Sequence, residues 1–396
     1  MSFEVIRKSG EVSFVDNPIA FEVKTTGETE IQIRLDVGGE AVFAASYIPF
    51  KDRVYFDIAE VLRPFVSSTP LREGTDLVLP VAGFAVGYSL EVKAGEAQTV
   101  TGQAICGGIS KQAARDLAGR GMDFILNRLR DYSGQFLFTT RTGGRHIAVR
   151  ETEISPLIFI HPGKQIQAEC EYGDRITLPA GVAGEIYALN IERIRRAFFD
   201  EYGRIAAFIR ILVEGQYAFD ISFTPGEISG GALALLFRNS LGCYETVEMP
   251  GEMTRTLDSE DESYQAFDEQ TGDYTTKRPK PGFRQKMQIN TGFKRKAELE
   301  FIRDLLSSQD VWLLTGNTRR RVLVTCEEYG YKEPMKEPTS LVLDVEVAEK
   351  ESNYTPDMEG EGGIPFIELL PEQAEIPAGG GEVKVQVKSN IMWEVV

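Results

Sequence analysis

Alternation of apolar and polar residues dominates the N-terminal part of the chain. The segments IQIRL at Ile31–Leu35 and YSLEV at Tyr88–Val92 have an apolar side chain at every second position, which is typical of half-buried β-strands. Glycines such as Gly38, Gly39 and Gly95 separate segments of this kind. A series of short strands punctuated by glycine turns predicts a β-sandwich or barrel in residues 1–108.

A helical period replaces the alternation at two places. After Ser110, which can cap a first turn, apolar residues recur every three or four positions as far as Leu129. Residues 109–131 are therefore predicted to form a connecting helix. A second helix is predicted at Lys296–Leu306, where leucines and an isoleucine form one apolar face.

Segments of the first β region return in the same order in residues 132–229. Asn17–Phe21 is similar to Ser155–Phe159, and Leu90–Gly95 is similar to Arg210–Gly215. The offset between matched segments shrinks steadily along the chain, as insertions and deletions in loops would make it do. We therefore predict that residues 132–229 duplicate the first β domain, with chance similarity between β sequences as the alternative.

Residues 230–348 combine strand patterns with the second helix, and they predict an α+β domain. A long polar segment at 258–283 interrupts it, acidic at first (DSEDES) and then basic and proline-rich (KRPKPGF). We interpret this segment as a long hairpin or loop. Because it has little to bury by itself, it is a candidate for contacts between subunits. Residues 349–363 are rich in Glu, Gly and Ser and predict a linker.

The C-terminal residues 364–396 return to strict alternation at Val383, Val385 and Val387. The preceding Gly380-Gly381-Glu382, the valines, and Ser389-Asn390 followed by Trp393 resemble the opening half of a BACON domain. That family is a small β-sandwich module common in proteins of Bacteroidetes and their phages. The second, Trp-containing half of the module is absent here. The resemblance therefore implies a partial BACON-like module, a half β-sandwich.

Two further segments resemble structural proteins of Bacteroidetes phages and prophages. One is Leu305–Ser308 followed by Val311–Leu313 and Arg321–Val324, and the other is Arg238–Gly242 with Glu245. The resemblance implies a component of a phage tail or baseplate, with copies of the chain assembling into a ring beside other tail or baseplate proteins. The expected fold is mainly β with a few helices: tandem, duplicated β-sandwich or barrel domains, an α+β domain and the C-terminal half sandwich.

The net charge and the lack of long apolar stretches limit the kinds of partner that we expect for this chain. The chain has 60 acidic and 43 basic residues, a net charge of −17. Specific nucleic-acid binding is not expected, because phosphate contacts need clustered Lys and Arg. The N-terminus lacks the apolar stretch of a signal peptide, and no stretch is long enough to span a membrane. Taken with the resemblance to phage proteins, the missing export signal implies a virion protein of the tail that is assembled in the host cytoplasm.

No catalytic constellation emerges from the sequence. The two histidines, His146 and His161, have no spacing typical of a triad or a metal site. Carboxylate pairs such as Asp220 with Glu227, or Glu245 with Glu248, could serve as acid and base in a glycosidase. Among 60 acidic residues such pairs also arise by chance. We expect no enzyme activity, no metal and no cofactor.

The remaining candidate residues are ones that could contact partners. Asn390 and Trp393 could contact a glycan or a protein partner, and a carbohydrate-binding or adhesion protein that holds host glycans is the alternative function. Basic clusters could form contacts between subunits, with a solvated surface as the alternative. They comprise Arg193, Arg195 and Arg196 in one segment and Arg319 and Arg320 in another.

Overall fold

The computed structural model describes most of the chain. The described residues are 2–8, 12–27, 30–71, 75–113, 137–141, 145–226, 233–259, 263–277, 282–315, 318–330, 337–350, 367–370 and 386–389. They divide into two compact units. The first unit comprises residues 1–149, 154–224 and 238–245, and the second comprises 150–153, 225–237 and 246–396. Strands predominate in both units, which confirms the predicted fold class of a mainly β protein with a few helices.

The first half of the first unit is a pair of β-sheets. Its strands are β1 (Ser2–Arg7), β2 (Val12–Phe14), β3 (Ala20–Thr26), β4 (Ile31–Val37), β5 (Glu40–Tyr47), β6 (Arg53–Asp57), β7 (Val78–Pro80), β8 (Ala85–Ala94) and β9 (Glu96–Ile105). Helix α1 (Ala59–Leu62) and a 3-10 turn at Arg63–Phe65 follow β6. One sheet has the order β1-β3-β6 and the other β2-β9-β8-β4-β5. Strand β2 runs parallel to β9.

The second half of the first unit repeats this arrangement. Its elements are β10 (His146–Arg150), β11 (Leu157–Ile160), β12 (Ile166–Cys170), β13 (Arg175–Thr177), β14 (Ile186–Leu189), α2 (Ile191–Tyr202), β15 (Phe208–Val213) and β16 (Gln216–Thr224). A 3-10 turn at Glu151–Glu153 follows β10 and belongs to the second unit. The five-stranded sheet has the order β10-β16-β15-β12-β13. If the strands of each five-stranded sheet are ranked by their place in the chain, this sheet and the sheet β2-β9-β8-β4-β5 have the same strand order.

The equivalence extends to strand direction and to a helix cap. The bonds from Asp220 N to Arg145 O and from Thr224 Oγ1 to Val149 O advance together along both strands, so β10 runs parallel to β16 as β2 does to β9. Asp57 Oδ1 accepts from Ala59 N at the start of α1, and Asn190 Oδ1 accepts from Arg193 N in α2. A duplicated domain would have these features, and the duplication itself stays a prediction.

One strand crosses the predicted boundary between the two β domains. Strand β7, from the first repeat, pairs antiparallel with β14 and completes a sheet of order β11-β14-β7. Val81 N also donates to Ile186 O, beyond the paired residues. The division at residues 108 and 132 is therefore not followed by the sheets. The reason is that an edge of β14 would otherwise lack main-chain partners.

Alternation along the strands forms the cores of the first unit. In β4, Ile31, Ile33 and Leu35 are buried while Gln32 and Arg34 face solvent, as the sequence pattern predicts. Two clusters of buried side chains result, one around Phe21 and Phe84 and the other around Phe159 and Phe219. The predicted connecting helix begins after Ser110, whose Oγ accepts from Ala113 N at 3.1 Å. Its remainder lies outside the described residues.

A close backbone contact joins β9 to a turn from much later in the chain. The backbone of Gly107 lies so near Leu241 that a Cβ added to Gly107 would be 2.3 Å from the carbonyl carbon of Leu241. Gly108 N donates to Ser240 O at 2.7 Å, and Gly107 has a φ of +88°. Gly242 has a φ of +91°, and a Cβ on it would be 2.8 Å from Cys106 Cβ. Only glycine fits at these two positions.

The second unit is a seven-stranded sheet with one helix. Its strands are β17 (Leu233–Arg238), β18 (Tyr244–Met249), β19 (Met253–Ser259), β20 (Tyr264–Asp268), β21 (Asp273–Lys277), β22 (Phe283–Asn290), β23 (Val311–Thr315), β24 (Thr318–Thr325) and β25 (Val342–Val347), with α3 (Lys296–Ser307). The order is β18-β17-β23-β24-β25-β22-β19, while β20 and β21 form a separate pair. Leu299, Ile302 and Leu305 of α3 pack in the core with Phe237 and Leu343.

The C-terminal segment contributes one two-stranded hairpin. Strands β26 (Ile367–Leu370) and β27 (Gln386–Ser389) pair antiparallel, with Ile367 opposite Ser389. The predicted linker at 349–363 is described only at Glu349 and Lys350. The rest of the predicted half sandwich lies outside the described residues.

We expect Gly107→Ala to lower the free energy of unfolding by about 3–5 kcal/mol, because it adds a backbone overlap to the strain of a positive φ. Gly39→Ala is the matched control, since Gly39 has a φ of +87° and nothing within 4 Å of an added Cβ. It should cost only the conformational strain, about 1–2 kcal/mol. Equal losses in chemical denaturation would show that the contact with Leu241 contributes nothing.

Candidate interaction site

The long hairpin or loop predicted at 258–283 contains the strand pair of β20 and β21 and begins and ends in the sheet strands β19 and β22. Strands β19 and β22 pair from Met253 opposite Ile289 to Ser259 opposite Phe283. Lys286 Nζ lies 2.7 Å from Asp258 Oδ2, and this bond lowers the pKa of Asp258 and raises that of Lys286. Farther along the chain, β20 and β21 form their own hairpin around a turn at 269–272.

The hairpin of β20 and β21 exposes three aromatic side chains, which we call the aromatic tip. Tyr264, Phe267 and Tyr274 are 52%, 55% and 64% exposed. The rings of Phe267 and Tyr274 contact each other edge to face at 5.4 Å. A two-stranded hairpin is marginally stable by itself, and this one leaves most of its aromatic surface in water. The aromatic tip is therefore a surface that a partner could cover.

Helix α2 carries the first predicted basic cluster, and its three arginines have different surroundings. Arg195 is buried: its Nε donates to Ala206 O at 3.0 Å, and its guanidinium lies 4.3 Å from the Phe223 ring centroid. The prediction of a contact between subunits is therefore wrong for Arg195, because the helical period turns it toward its own core. Arg193 bonds to Asp200 and to Thr75 O, and Arg196 is exposed.

An apolar patch beside α2 was missed in the sequence. Phe199 and Ile205 are 51% and 64% exposed, and Tyr172 is 57% exposed with Arg204 stacked 4.8 Å over its ring. The adjacent pair Phe198-Phe199 was the available signal. Successive helical residues point about 100° apart, so when Phe198 enters the core Phe199 cannot. We call Tyr172, Phe199, Tyr202 and Ile205 the α2 patch.

The second predicted basic cluster is divided between the two faces of β24. Arg319 is exposed, whereas Arg320 is half-buried and its Nη1 donates to Gln285 Oε1 at 3.4 Å. The next residue, Arg321, lies on the same face as Arg319 and 3.6 Å from Asp310. Asn390 and Trp393 lie outside the described residues, so the glycan or partner contacts predicted for them remain predictions.

Glu245 is a buried carboxylate with its own set of donors. Its Oε1 accepts from Thr139 Oγ1 at 2.7 Å and its Oε2 from Asn239 Nδ2 at 2.6 Å, while Arg141 lies 3.6 Å away. Burial raises the pKa of Glu245, although Arg141 and the two donors oppose the shift. Because Asn239 Nδ2 also reaches Phe138 O, the carboxylate fastens residues 137–141 to the turn before β18.

Glu248, on the same strand, has a separate network in the second unit. Thr152 Oγ1 donates to its Oε2 at 2.8 Å, Arg150 lies 3.8 Å away, and Lys294 Nζ donates to its backbone oxygen. Burial raises the pKa of Glu248. Glu245 and Glu248 are three residues apart in a strand and face opposite sides. They therefore do not form the acid and base pair that was considered. Asp220 bonds to Arg210 and Tyr217, and Glu227 lies outside the described residues.

His161 is a buried histidine at the end of β11. Its Nδ1 accepts from Gly163 N at 3.0 Å, so the neutral ring carries its proton on Nε2. The ring packs between Phe159 and Tyr187, and Nε2 has no hydrogen-bond partner among the described residues. Burial lowers the pKa of His161. His146, by contrast, lies 3.0 Å from Ser222 Oγ at the surface.

The described residues contain neither a cluster of metal ligands nor a helix that could span a membrane. They contain no cluster of three or more His, Cys, Asp or Glu side chains able to hold a metal ion. No helix in the same part of the chain is long and apolar enough to cross a membrane.

Comparison with known proteins yields only weak similarities. No protein-family model and no curated protein matches the chain. Salmonella alpha-2-macroglobulin is 7% identical, and the match covers 89% of this chain and 20% of the macroglobulin, with a TM-score of 0.19. E. coli alpha-2-macroglobulin is also 7% identical, and the match covers 98% of this chain and 26% of the macroglobulin, with a TM-score of 0.19. A bacterial ice-binding adhesin is 9% identical, and the match covers 71% of this chain and 88% of the adhesin, with a TM-score of 0.14. This chain thus spans about a fifth to a quarter of the macroglobulins, and scores this low carry no argument about function.

We expect Glu245→Ala to destabilise the protein by about 2–4 kcal/mol, because Thr139 and Asn239 lose a buried acceptor. The control is Glu214→Ala, which removes an exposed pair with Lys164 at 2.8 Å and should change stability by less than about 0.5 kcal/mol. Denaturant titrations of both variants measure the difference. A loss below about 1 kcal/mol for Glu245→Ala would contradict the anchoring role.

The pH dependence of the free energy of unfolding should show the effect of the lowered pKa of His161. Its folded-state pKa is lowered, so below about pH 6.5 the unfolded chain binds a proton that the folded protein refuses. Stability should therefore fall on acidification through that range, by up to about 1.4 kcal/mol per pH unit from this residue. His161→Asn keeps an acceptor for Gly163 N and does not titrate, so its stability profile should be flatter between pH 7 and 5. Parallel profiles for the two proteins would refute the assignment.

Proposed function

We propose that the chain is a structural component of a phage or prophage-derived tail or baseplate, in which copies assemble into a ring through their β domains. The resemblance of its sequence to Bacteroidetes phage proteins and to the BACON module supports this origin. The repeated strand order of the first unit supports a scaffold role, since such scaffolds are commonly built from repeated β domains. Other tail or baseplate proteins would be its further partners in the virion.

The aromatic tip is the observation that carries the proposal. Strands β19 and β22 belong to the seven-stranded sheet, and the hairpin of β20 and β21 lies between them in the chain. We call this hairpin the β arm, and its aromatic rings are more than half exposed. Aromatic side chains are enriched where protein interfaces gain most of their binding energy. An arm that ends in such rings has little function within its own subunit. It is suited to contact a neighbour.

The α2 patch provides a second apolar surface, on the first unit. Its residues combine aromatic rings with a stacked arginine, Arg204, a composition typical of interface centres. Arg196 is exposed on the same helix and remains a candidate for contact between subunits. A ring needs two different surfaces on each subunit, because each copy contacts one neighbour on either side. The aromatic tip and the α2 patch are two such surfaces.

The double variant Phe267→Ser, Tyr274→Ser should assemble poorly while remaining folded. Both rings are exposed and pair only with each other across this hairpin, so the free energy of unfolding should fall by no more than about 1 kcal/mol. Losing two interface aromatics should weaken self-association about tenfold to a hundredfold. Sedimentation velocity over a concentration series measures the association, and negative-stain microscopy shows whether rings form.

Tyr55→Ser is the matched control, because Tyr55 is 57% exposed in β6 and lies outside the arm. It should assemble as the unchanged protein does. A protein that stays monomeric at every concentration would refute the assembly proposal. Normal assembly of the double variant would instead exclude the aromatic tip as the contact.

A further inference from the structure

The hairpin that carries the aromatic tip is acidic around its turn. Asp268 and Asp273 lie directly opposite each other in the two strands, and Glu269 begins the turn between them. None of these three carboxylates forms an ion pair with a lysine or arginine among the described residues. Lys277, the basic residue of the hairpin, lies at its other end opposite Tyr264. Because like charges opposite each other destabilise a strand pair, a cationic partner would stabilise this one.

The rings and the carboxylates lie one step apart along the hairpin. Phe267 is directly opposite Tyr274, and their rings contact each other on one face. The opposed Asp268 and Asp273 are the next pair toward the turn, about 3.3 Å farther along each strand and on the other face. A partner that covers the rings at this end of the hairpin therefore also comes near the negative charges.

The α2 patch has positive charges beside its rings. Arg196 precedes Phe199 by three residues in α2, and residues at this spacing are neighbours on the surface of a helix. Arg204 stacks over Tyr172, with its guanidinium carbon 4.8 Å from the ring centroid. Both arginines are exposed, and neither forms an ion pair with another described residue. Their charges are therefore available to a partner.

The carboxylates near the α2 patch, by contrast, have partners within the chain. Asp200 is bonded to an arginine of its own helix at 3.3 Å, and Glu171 accepts from two main-chain N–H groups. Glu201 forms a hydrogen bond with Tyr202, which raises the pKa of that tyrosine. Asp174 lies 3.8 Å from a cysteine thiol. The charges that the patch offers to a partner are therefore mainly positive.

We infer that the aromatic tip of one copy of this chain binds the α2 patch of a second copy. The exposed rings of Phe267 and Tyr274 cover Phe199 in this contact, and the acidic end of the hairpin meets Arg196 and Arg204. Apolar burial contributes affinity, and opposite charges on the two surfaces select the partner. One copy then contacts the next head to tail, as a ring requires. The inference rests on the proposed self-assembly and names one contact within it.

Reversing the charges of each surface in the full-length chain tests the inference. The tip reversal is Glu269→Lys with Asp273→Lys, and the patch reversal is Arg196→Glu with Arg204→Glu. Asp268 is left unchanged, because its Oδ1 accepts from a main-chain N–H of the turn at 2.9 Å. Each reversal places like charges across the contact. Each should therefore weaken self-association about tenfold in sedimentation velocity over a concentration series.

An equal mixture of the two variants should associate again. The basic tip of the first variant then meets the acidic patch of the second, and the acidic tip of the second meets the basic patch of the first. We expect association of the mixture within about threefold of the unchanged protein. A contact between the tip and the patch of the same chain could not be restored by mixing, so recovery assigns the contact to two copies.

Matched controls carry the same changes of charge elsewhere on the surface. Glu30→Lys with Glu40→Lys matches the tip reversal, and Lys24→Glu with Lys93→Glu matches the patch reversal. All four residues are exposed and lie in the first unit, outside α2. Both controls should associate within about twofold of the unchanged protein, since they alter only its net charge. Circular dichroism and denaturant midpoints verify that every variant is folded.

The outcomes separate this contact from the proposed assembly. An unchanged protein that is monomeric at every concentration overturns both. Assembly that neither reversal weakens overturns the contact and leaves the assembly intact. Weakening by each reversal without recovery in the mixture overturns the pairing of tip with patch. A control that weakens association as much as its matched reversal assigns the effect to net charge and likewise overturns the contact.

Discussion

Main-chain groups along the edge of a β-sheet must find partners, and this requirement explains most of the features found here. Strand β7 pairs with β14 from the other half of the first unit, and β2 and β10 each cover part of a longer strand. The order of the strands in each sheet follows from how these edges are covered.

The buried carboxylates of Glu245 and Glu248 bind segments of the chain that are not paired with each other in a sheet. Glu245 accepts from Thr139 and Asn239, and through them it positions residues far apart in sequence. Glu248 does the same for Thr152 in the second unit. Burying a carboxylate is unfavourable unless donors surround it, so each network is satisfied only in one arrangement. These groups contribute specificity of structure, and their raised pKa values follow from the same burial.

Two exposed surfaces differ in their surroundings. The aromatic tip belongs to a separate strand pair of the second unit, and the α2 patch lies on a helix of the first unit, where Arg204 stacks over Tyr172. Aromatic side chains and arginine are enriched at the centres of protein interfaces. These are therefore the two surfaces through which we propose that copies of the chain contact each other.

The sequence by itself determined the mainly β character of the chain, strands such as β4, and the apolar face of α3, because these depend on local periodicity. Ile31, Ile33 and Leu35 are buried as alternation predicts. Tertiary structure alone decided that β7 pairs with β14, that Glu245 meets Thr139, and that Gly107 lies against Leu241. These outcomes depend on which distant segments meet, and periodicity along the chain contains no information about contacts between residues a hundred positions apart.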